Sequence, residues 1–331
     1  MIWNTIYGRQ ELVQTLQGAI EAEQIAHAYL FYGPVGIGKK TIAQVLATAL
    51  NCTGAARNGC GTCESCRKAQ NGTHPDLHWL RPEGKSLKIE QIRQLKKNAY
   101  LKPREGNYQI FILEQADALT AEAANSLLKV LEEPPRGSLF ILLAEHPSML
   151  PATVVSRCQL FVVPRLNQAN IARLLQQYDL PAAEVAEIAD WAEGIPGRAL
   201  AMSNQTTWRT QYTAAIDTLA ALAAAGTVSQ LAAKLEKLEE LTTFLDAMTL
   251  VLREVLLWQT VGVLAKQEQQ QQISQLAETW SVHACIAALD EMLLLQQSLQ
   301  SPVNKRLALE KMLRSLKEVR NIDANSSRNS F

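Results

Sequence analysis

The sequence has 331 residues, which is enough for two domains or a few small ones and excludes a small scaffold held together by disulfides. Lys and Arg total 32 and Asp and Glu total 32, a balance that argues against attraction to DNA or anionic membranes by overall charge. Hydrophobic residues make up 47% and charged residues 19%, which is typical of a folded globular protein.

The chain shows no pattern of a targeting or membrane segment. Asn4 and Arg9 interrupt the apolar residues of the first 16 positions, so a signal-peptide core is absent there. No later stretch approaches the ~18 consecutive apolar residues that a transmembrane helix needs. We therefore expect no membrane contact and a cytoplasmic location.

The first half of the chain has the pattern of an α/β domain. Up to residue 165, apolar runs of strand length alternate with segments of helical periodicity, which predicts a mostly parallel sheet covered by helices. Ala124, Leu127, Leu128 and Leu131 have the spacing of one such helix, which ends before Pro134. The strands are predicted at 28–32, 108–113, 139–143 and 160–163.

The second half reads as helical. After Pro164 the strand signal disappears, and 166–205 predicts a small helical lid with a turn at 194–197. Residues 206–331 are dominated by Ala, Leu, Glu, Gln and Lys, which favours an all-α domain, with a frayed tail at 324–331. The predicted domains are therefore 1–165, 166–205 and 206–331.

A glycine-rich segment follows the first predicted strand and precedes a helix. It reads Gly-Pro-Val-Gly-Ile-Gly-Lys-Lys-Thr from residue 33 to 41, in the context that a phosphate-binding loop requires. Backbone N–H groups at Gly33, Gly36 and Gly38 would surround phosphate oxygens, and Lys39 would reach the outer phosphates. The alternative is a glycine turn without a ligand.

This loop departs from the working pattern at its metal-binding position. Lys40 stands where a Ser or Thr hydroxyl normally contacts Mg²⁺, and a protonated amine cannot bind a metal. Thr41 comes one residue later, and at ~100° per residue it points away from that position. Metal-assisted hydrolysis is therefore not expected, and ATP binding is left open.

A second departure follows the strand predicted at 108–113. Glu114 can contact a metal through water, but Gln115 has no titratable carboxylate and cannot act as a general base. The alternative is a polar strand exit without a catalytic role. Both departures indicate that the nucleotide-binding residues are degenerate.

Four of the six cysteines lie within residues 52–66. Cys52, Cys60, Cys63 and Cys66 supply enough thiolates for a closed tetrahedral Zn²⁺ site, which would be structural because no coordination position remains open. An iron–sulfur cluster or free thiols are the alternatives. The nearby residues His74 and His78 are possible substitute ligands.

Several motifs together resemble the delta-prime subunits of bacterial DNA polymerase III clamp loaders, a family within the AAA+ superfamily. The resemblance is densest over residues 20–165 and weaker afterwards. Asn304 and Arg306 lie in a C-terminal stretch similar to the family's collar helices. The motifs are His27–Pro34, the four cysteines, His74-Pro75-Asp76, Asn125–Pro135 and Ser156-Arg157-Cys158.

The resemblance implies an AAA+ core at 1–165 with a zinc-binding insertion at 52–66, a lid at 166–205 and an oligomerisation collar at 206–331. The implied partners are the gamma/tau motor subunits and the delta subunit, and, through the complex, the sliding clamp and primed DNA. Arg157 would be an arginine finger that acts in trans on the nucleotide of a neighbouring subunit.

The lid contains a further departure from the family's active members. Those members carry a nucleotide-contacting Arg in a Gly-x-x-Arg turn, whereas this chain has Gly194 followed by Ile, Pro and Gly197. Arg198 comes next and is either a partial substitute or a solvated residue at the start of a helix. Little or no ATPase activity of the chain alone is the expectation that the resemblance supports.

Other functions fit parts of the sequence. A gamma/tau-type motor subunit shares the cysteines and the Ser-Arg-Cys motif but has intact nucleotide motifs, and an independent AAA+ remodelling ATPase would turn over ATP alone. A zinc-dependent DNA-binding module is a third possibility, because residues 85–104 are rich in Lys and Arg. Charged helix faces are usually solvated, which argues against DNA contact at 85–104.

Overall fold

A computed structural model describes the protein in two compact units, Met1–Ser203 and Asn204–Phe331. The predicted division into a core, a lid and a collar remains a prediction. Of the tail predicted at 324–331, the first three residues end the last helix and the rest lie outside the described residues. The described residues are 2–54, 58–84, 86–178, 180–203, 207–223, 227–238, 241–262, 270–299 and 304–326.

The first unit alternates strands with helices, as the sequence predicts. Its described elements are α1 (Gln10–Glu21), β1 (Ala28–Tyr32), α2 (Lys39–Leu50), α3 (Glu64–Gln70), β2 (Leu77–Leu80), α4 (Ile89–Ala99), β3 (Gln109–Leu113), α5 (Ala121–Glu132), β4 (Ser138–Ala144), α6 (Ala152–Val155), β5 (Gln159–Val162), α7 (Gln168–Leu175), α8 (Ala182–Trp191) and α9 (Pro196–Ser203). The four predicted strands correspond to β1, β3, β4 and β5, with ends shifted by one residue at most. The prediction missed β2, a half-buried edge strand of four residues.

The strands form one parallel sheet in the order β2-β3-β4-β1-β5. The register places Ala28 opposite Phe140 between β1 and β4, and Leu77 opposite Ile110 between β2 and β3. Because all the paired strands are parallel, the chain must return along a face of the sheet between successive strands, and helices lie in these connections. The parallel sheet and its helices confirm the predicted fold class.

The three central strands β1, β3 and β4 are buried on both faces of the sheet, and alternate side chains of each strand point to opposite faces. The edge strand β5 is largely exposed. Tyr29 and Phe31 of β1 belong to a core cluster with Ile42 and Leu46 of α2. Leu30 belongs to the cluster on the other face, which includes side chains of α4 and α5. Helix α2 is therefore held rigidly against β1, and the loop between them has a fixed position.

The described secondary-structure elements of the second unit are all helices. It contains α10 (Thr207–Ala223), α11 (Val228–Glu236), α12 (Leu241–Val261), α13 (Gln270–Thr279), α14 (Val282–Leu299) and α15 (Lys305–Ser326). Phe244, Met248 and Leu252 of α12 are fully buried in it. No helix among the described residues of either unit is long and apolar enough to cross a bilayer.

A buried carboxylate organises the loop before β3. The carboxylate of Asp76 is fully buried and accepts hydrogen bonds from the backbone N–H groups of Arg104, Glu105 and Gly106 at 2.7–2.8 Å. Gln109 donates a further hydrogen bond to it. Burial alone would raise the pKa of Asp76, but the three backbone hydrogen bonds outweigh burial and lower the pKa.

We expect Asp76→Asn to reduce the free energy of unfolding by about 2–3 kcal/mol. The amide NH₂ of asparagine would replace one carboxylate oxygen and would face two backbone N–H donors, to which it cannot accept a hydrogen bond. The folded-state pKa of Asp76 is lower than its unfolded-state pKa. The stabilisation that its ionised carboxylate gives to the fold is therefore present above about pH 5 and is lost as the pH falls through the folded-state pKa. Urea unfolding at pH 7 and pH 3 measures both effects. Glu133→Gln, a change at an exposed carboxylate, is the control, and equal stability of the two variants would contradict the prediction.

Candidate functional site

The glycine-rich loop lies between β1 and α2, at the carboxyl edge of the parallel sheet. Gly33, Gly36 and Gly38 all have positive φ, of 148°, 77° and 104°, which only glycine adopts without strain. Gly38 is the N-cap of α2, so the helix begins at Lys39 with its N–H groups facing the loop. The strand, the glycine-rich loop and the helix follow one another as the sequence predicts, and phosphate binding by the loop remains a prediction.

Lys39 lies within the cradle and binds the loop itself. Its ammonium donates hydrogen bonds to the carbonyl oxygens of Gly33 and Pro34, the latter at 2.9 Å. Burial lowers the pKa of Lys39, although the nearby carboxylates of Glu145 and Asp117 act in the opposite direction. A cation that is partly desolvated in this way is well placed to neutralise an incoming anion.

Lys40 forms an ion pair with the acidic residue at the end of β3. Its Nζ lies 3.0 Å from Oε1 of Glu114, and Arg81 Nε lies 2.9 Å from the same oxygen. The Lys40 ammonium also lies 5.1 Å from the ring centroid of Trp79. Glu114 therefore has two cations at one of its carboxylate oxygens. The sequence analysis missed Arg81 and Trp79, which come from β2 and the residue that follows it.

Thr41 and Gln115 do not complete a metal site. Thr41 lines two cavities, one of them together with Lys40, whereas Lys39 and Glu114 line another cavity, which Lys40 also lines. Gln115 is exposed and has the left-handed φ of 52°. Among the described cavities, Thr41 and Glu114 line different ones, and the orientation expected for the Thr41 hydroxyl remains a prediction.

The lid turn at Gly194–Gly197 lies directly on the phosphate loop. The N–H of Gly197 donates a 2.8 Å hydrogen bond to the carbonyl of Gly36. Arg198, a possible substitute for the missing lid arginine, instead contacts Glu193 at 2.7 Å, and Arg165 lies 3.7 Å from the same carboxylate oxygen. The guanidinium of Arg198 is therefore held within the lid.

Arg9 is a further residue of the loop environment that the sequence analysis missed. Its side chain donates hydrogen bonds to the carbonyl oxygens of Ile37 and Pro164. Burial lowers its pKa to about 10. No local pattern marks Arg9, because its acceptors lie in two distant parts of the chain.

The four predicted cysteines come together. The Sγ atoms of Cys52, Cys60, Cys63 and Cys66 all lie within 4.8 Å of one another, with 4.0 Å between Cys52 and Cys63 and 3.9 Å between Cys60 and Cys66. Zn–S bonds of about 2.3 Å in a tetrahedron place sulfurs about 3.8 Å apart. The geometry fits a four-thiolate metal site, and all four thiols are free of disulfides.

Backbone N–H groups point at these sulfurs. The N–H groups of Cys63 and Cys66 contact the sulfurs of Cys60 and Cys63 at 3.3 and 3.4 Å. Burial by itself raises the pKa of the Cys63 thiol, but hydrogen bonds from Thr53 and Cys66 outweigh it and lower the pKa to about 5. At Cys63 the hydrogen bonds thus favour thiolate, the form that binds a metal, whereas burial raises the pKa of the neighbouring Cys66 thiol.

The two histidines considered as substitute ligands have other contacts. Nε2 of His74 lies 3.1 Å from the hydroxyl of Ser65, and its Nδ1 accepts a hydrogen bond from the N–H of Asp76. Nε2 of His78 lies 2.7 Å from Oε1 of Gln109. Neither histidine belongs to the four-sulfur group, so the cluster is a cysteine-only site among the described residues.

Arg157 follows the short helix α6 near the edge strand β5. Its guanidinium contacts Glu132 at 2.7 Å and donates a 2.8 Å hydrogen bond to the carbonyl of Thr153. The side chain is 33% exposed. Cys158 beside it is buried, and burial raises its pKa to about 12. The chain therefore presents Arg157 at its surface, with one intramolecular carboxylate as its ion-pair partner among the described residues.

The basic stretch at 85–104 lies on α4 and the loop after it. Lys85 is outside the described residues, and DNA contact by this stretch remains a prediction. Tyr100 and Leu101, at the end of α4, are also exposed. The exposed cations of the stretch are Lys88, Arg93, Lys97, Lys102 and Arg104.

Comparisons with known proteins cover both units. The family model described as DNA polymerase III, delta subunit, matches residues 8–167. The model described as DNA polymerase III, delta subunit, C terminal, matches residues 207–318. The two matches together include the phosphate loop, the cysteine cluster, Arg157 and most of the helical unit.

Several curated proteins that are similar to parts of this chain are named as subunits of DNA polymerase III. A Bacillus subtilis protein named DNA polymerase III subunit delta′ is 38% identical over 167 residues, which are 50% of this chain and 51% of that protein. A Pseudomonas aeruginosa delta′ subunit is 38% identical over 180 residues, 52% of this chain and 54% of that protein. The tau subunit of Bacillus subtilis is 33% identical over 207 residues, 60% of this chain and 37% of that protein. The chain thus spans about half the length of the delta′ relatives it matches.

Proposed function

The chain belongs to the delta-subunit family of DNA polymerase III, and from this membership we propose that it is a clamp-loader subunit with little or no ATPase activity of its own. Its partners would be gamma/tau motor subunits and a delta subunit, and the assembled complex would load a sliding clamp on primed DNA. The observation that carries the proposal is a phosphate loop whose metal-binding position is an ion pair between Lys40 and Glu114.

The helical unit offers a surface for such an assembly. Leu257 and Val261 lie four residues apart on α12 and are 48% and 65% exposed, and Ile286 and Leu293 of α14 are 49% and 54% exposed. Exposed apolar side chains on one helix face often form the centre of a protein–protein interface. This supports the collar role that the resemblance implies for residues 206–331. Co-purification with the motor and delta subunits is the direct test of membership in the complex.

The absence of hydrolysis follows from the chemistry of the cleft. Phosphoryl transfer in phosphate-loop enzymes needs Mg²⁺ held by a hydroxyl after the loop lysine and a group that orients water. Here Lys40 stands at the position of the hydroxyl and forms an ion pair with Glu114, and Gln115 has no carboxylate. The cleft can therefore neither hold the metal in the usual way nor activate water by a general base.

We expect the purified chain to show no Mg²⁺-dependent ATP turnover above background, and Lys39→Ala to leave that rate unchanged. A phosphate-release assay at saturating ATP measures both proteins. Robust turnover that Lys39→Ala abolishes would contradict the proposal and would instead indicate a gamma/tau-type motor subunit or an independent remodelling ATPase.

Arg157 is proposed to act on the nucleotide of a neighbouring motor subunit. A guanidinium delivered in trans stabilises the charge that develops on the transferred phosphoryl group, by a planar pair of hydrogen bonds. The ion pair of Arg157 with Glu132 is partly exposed, and exposed pairs contribute only about 0–1 kcal/mol. The guanidinium can therefore exchange Glu132 for a phosphate at small cost.

We expect Arg157→Ala and Arg157→Lys to leave folding and assembly intact and to lower the ATPase and clamp-loading rates of the reconstituted complex by at least tenfold. Lysine fails because it lacks the planar fork. Glu132→Gln is the matched control, since it removes the intramolecular partner but keeps the guanidinium.

The assignment of Arg157 is wrong if the Arg157 variants load clamps at the full rate. It is also wrong if Glu132→Gln lowers the rate as much as Arg157→Ala. In that case the ion pair with Glu132, rather than contact with a neighbouring nucleotide, is what the complex needs.

The cysteine cluster is proposed to hold one structural Zn²⁺. Four thiolates match the preference of zinc, and a closed site leaves no position for catalysis. Bound zinc would stabilise the segment at 52–66, which has little apolar core of its own, so metal binding and local folding would be coupled. The ion would thereby fix the loop between α2 and α3.

We expect metal analysis of the purified protein to return about one Zn²⁺ per chain. Cys63→Ser should reduce the bound zinc at least tenfold and lower the thermal stability, because three ligands hold the ion less tightly. Cys285→Ser, a change at a buried cysteine of the helical unit, should retain the full zinc content. Iron, or no metal in carefully handled protein, would rule out the zinc site.

A further inference from the structure

The glycines on either side of Cys60 enclose the side chain of Ile2. A Cβ atom built on Gly59 would lie 2.5 Å from Cδ1 of Ile2, and one built on Gly61 would lie 3.3 Å from Cγ2 of Ile2. Ile2 is buried, and Gly59 has a φ of 69°, which other residues rarely adopt. The absence of a side chain at position 59 therefore lets the cysteine segment, residues 52–66, lie directly on Ile2.

Two hydrogen bonds join the same parts of the chain. The N–H of Ile2 donates to the carbonyl of Gly59 at 3.1 Å. Nε1 of the Trp3 indole donates to Oδ1 of Asn58 at 2.8 Å. Because Trp3 is buried, its indole N–H depends on a protein acceptor, and Asn58 supplies it. These bonds and the apolar contact together hold Ile2 and Trp3 on the cysteine segment.

Residues 2–9, which we call the leading segment, have a second anchor at Arg9. The guanidinium of Arg9 is buried and donates to the carbonyl oxygens of Ile37 and Pro164. Between the two anchors, Ile6 packs in the core cluster on the sheet face that α2 covers. The leading segment therefore runs along the first unit from the cysteine segment to the glycine-rich loop.

Sulfur atoms connect Cys60 to the two neighbouring helices. Cys52 follows the end of α2 and Cys66 lies in α3, and both are buried. Sγ of Cys60 lies 3.9 Å from Sγ of Cys66, and the N–H of Cys60 contacts Sγ of Cys52 at 3.4 Å. The position of Cys60 relative to α2 and α3 thus depends on these sulfurs, and the glycines that enclose Ile2 move with Cys60.

We propose that a metal ion held by the four cysteines anchors the leading segment to the cysteine segment. Binding of the ion fixes Asn58 and Gly59, which in turn hold Trp3 and Ile2. Without an ion, the four sulfurs, which lie within 4.8 Å of one another, have only weak S–H contacts to keep them together. The leading segment then detaches together with the residues around Cys60.

This inference rests on the proposed zinc site. A closed site of four thiolates leaves no coordination position for catalysis, so its contribution is the position of the chain around it. Here that chain includes the leading segment, which lies far from the cysteines in the sequence but is bonded to Asn58 and Gly59 in the fold.

The test is the rate at which trypsin cleaves the full chain after Arg9. Since this side chain is buried, cleavage requires the leading segment to detach, and the rate reports on the population of the detached form. We expect a zinc-specific chelator, or the change Cys60→Ser, to raise this rate about tenfold or more. Added zinc should restore the slow rate in the unchanged protein. Cleavage after Lys129, in α5, is the internal reference and should not change.

Asn58→Ala tests the anchor while the metal ligands stay in place. This variant keeps all four cysteines but removes the acceptor of the Trp3 indole N–H. We expect it to retain the full zinc content and to be cleaved after Arg9 several-fold faster than the unchanged protein. Asn71→Ala, a change at an exposed asparagine directly after α3, is the matched control and should be cleaved at the unchanged rate.

The zinc content of every sample distinguishes the possible failures. If zinc is bound and its removal does not speed cleavage after Arg9, the anchoring is wrong and the zinc site stands. The anchoring is also wrong if cleavage after Lys129 rises equally, because loss of the metal then unfolds more than the leading segment. The same holds if Asn58→Ala keeps its zinc and resists cleavage. Protein purified without metal overturns both proposals.

Discussion

The ion pair between Lys40 and Glu114 is the interaction on which the chemistry of the cleft depends. An ammonium 3.0 Å from the carboxylate supplies positive charge where a phosphate-loop enzyme places its metal. Arg81 approaches the same oxygen, so Glu114 is fully neutralised by side chains. The glycine-rich loop between β1 and α2 is thus retained, while the charged residues around it pair with one another.

A second group of buried polar contacts joins the cysteine cluster to the sheet. The hydroxyl of Ser65, next to Cys66, donates to the carbonyl of Asn51 at the end of α2 and lies 3.1 Å from His74. The side chain of Asn51 in turn bonds the backbone of Tyr108 before β3. Because buried polar groups are costly when unpaired, this chain of contacts holds the cluster in one orientation.

The proposed role follows from these two features taken together. In the proposed role, the chain has no hydrolysis cycle because Lys40 pairs with Glu114, and the partly exposed guanidinium of Arg157 acts on a neighbouring subunit. The exposed apolar residues on α12 and α14 supply a surface by which a helical unit can associate. Both features favour a component of an assembly over a protein that works alone.

Much of this architecture was predictable from local patterns. Four of the five described strands and the proximity of the four cysteines were predicted from runs of a few residues, because strand alternation and closely spaced ligands are encoded locally. The phosphate-binding role of the glycine-rich loop and the metal-position role of Lys40 remain predictions. The edge strand β2 was missed because its four half-buried residues carry too weak an apolar signal.

The tertiary structure alone decided which distant groups meet. The contact of Gly36 with Gly197, the bonds of Arg9 to Ile37 and Pro164, and the pairing of Arg157 with Glu132 join segments far apart in the chain. Hydrophobic periodicity assigns a residue to a helix or a strand, but it carries no information on which loop ends lie together. Those neighbours are set by the strand order of the sheet and by the packing of the lid turn, and both are properties of the folded chain.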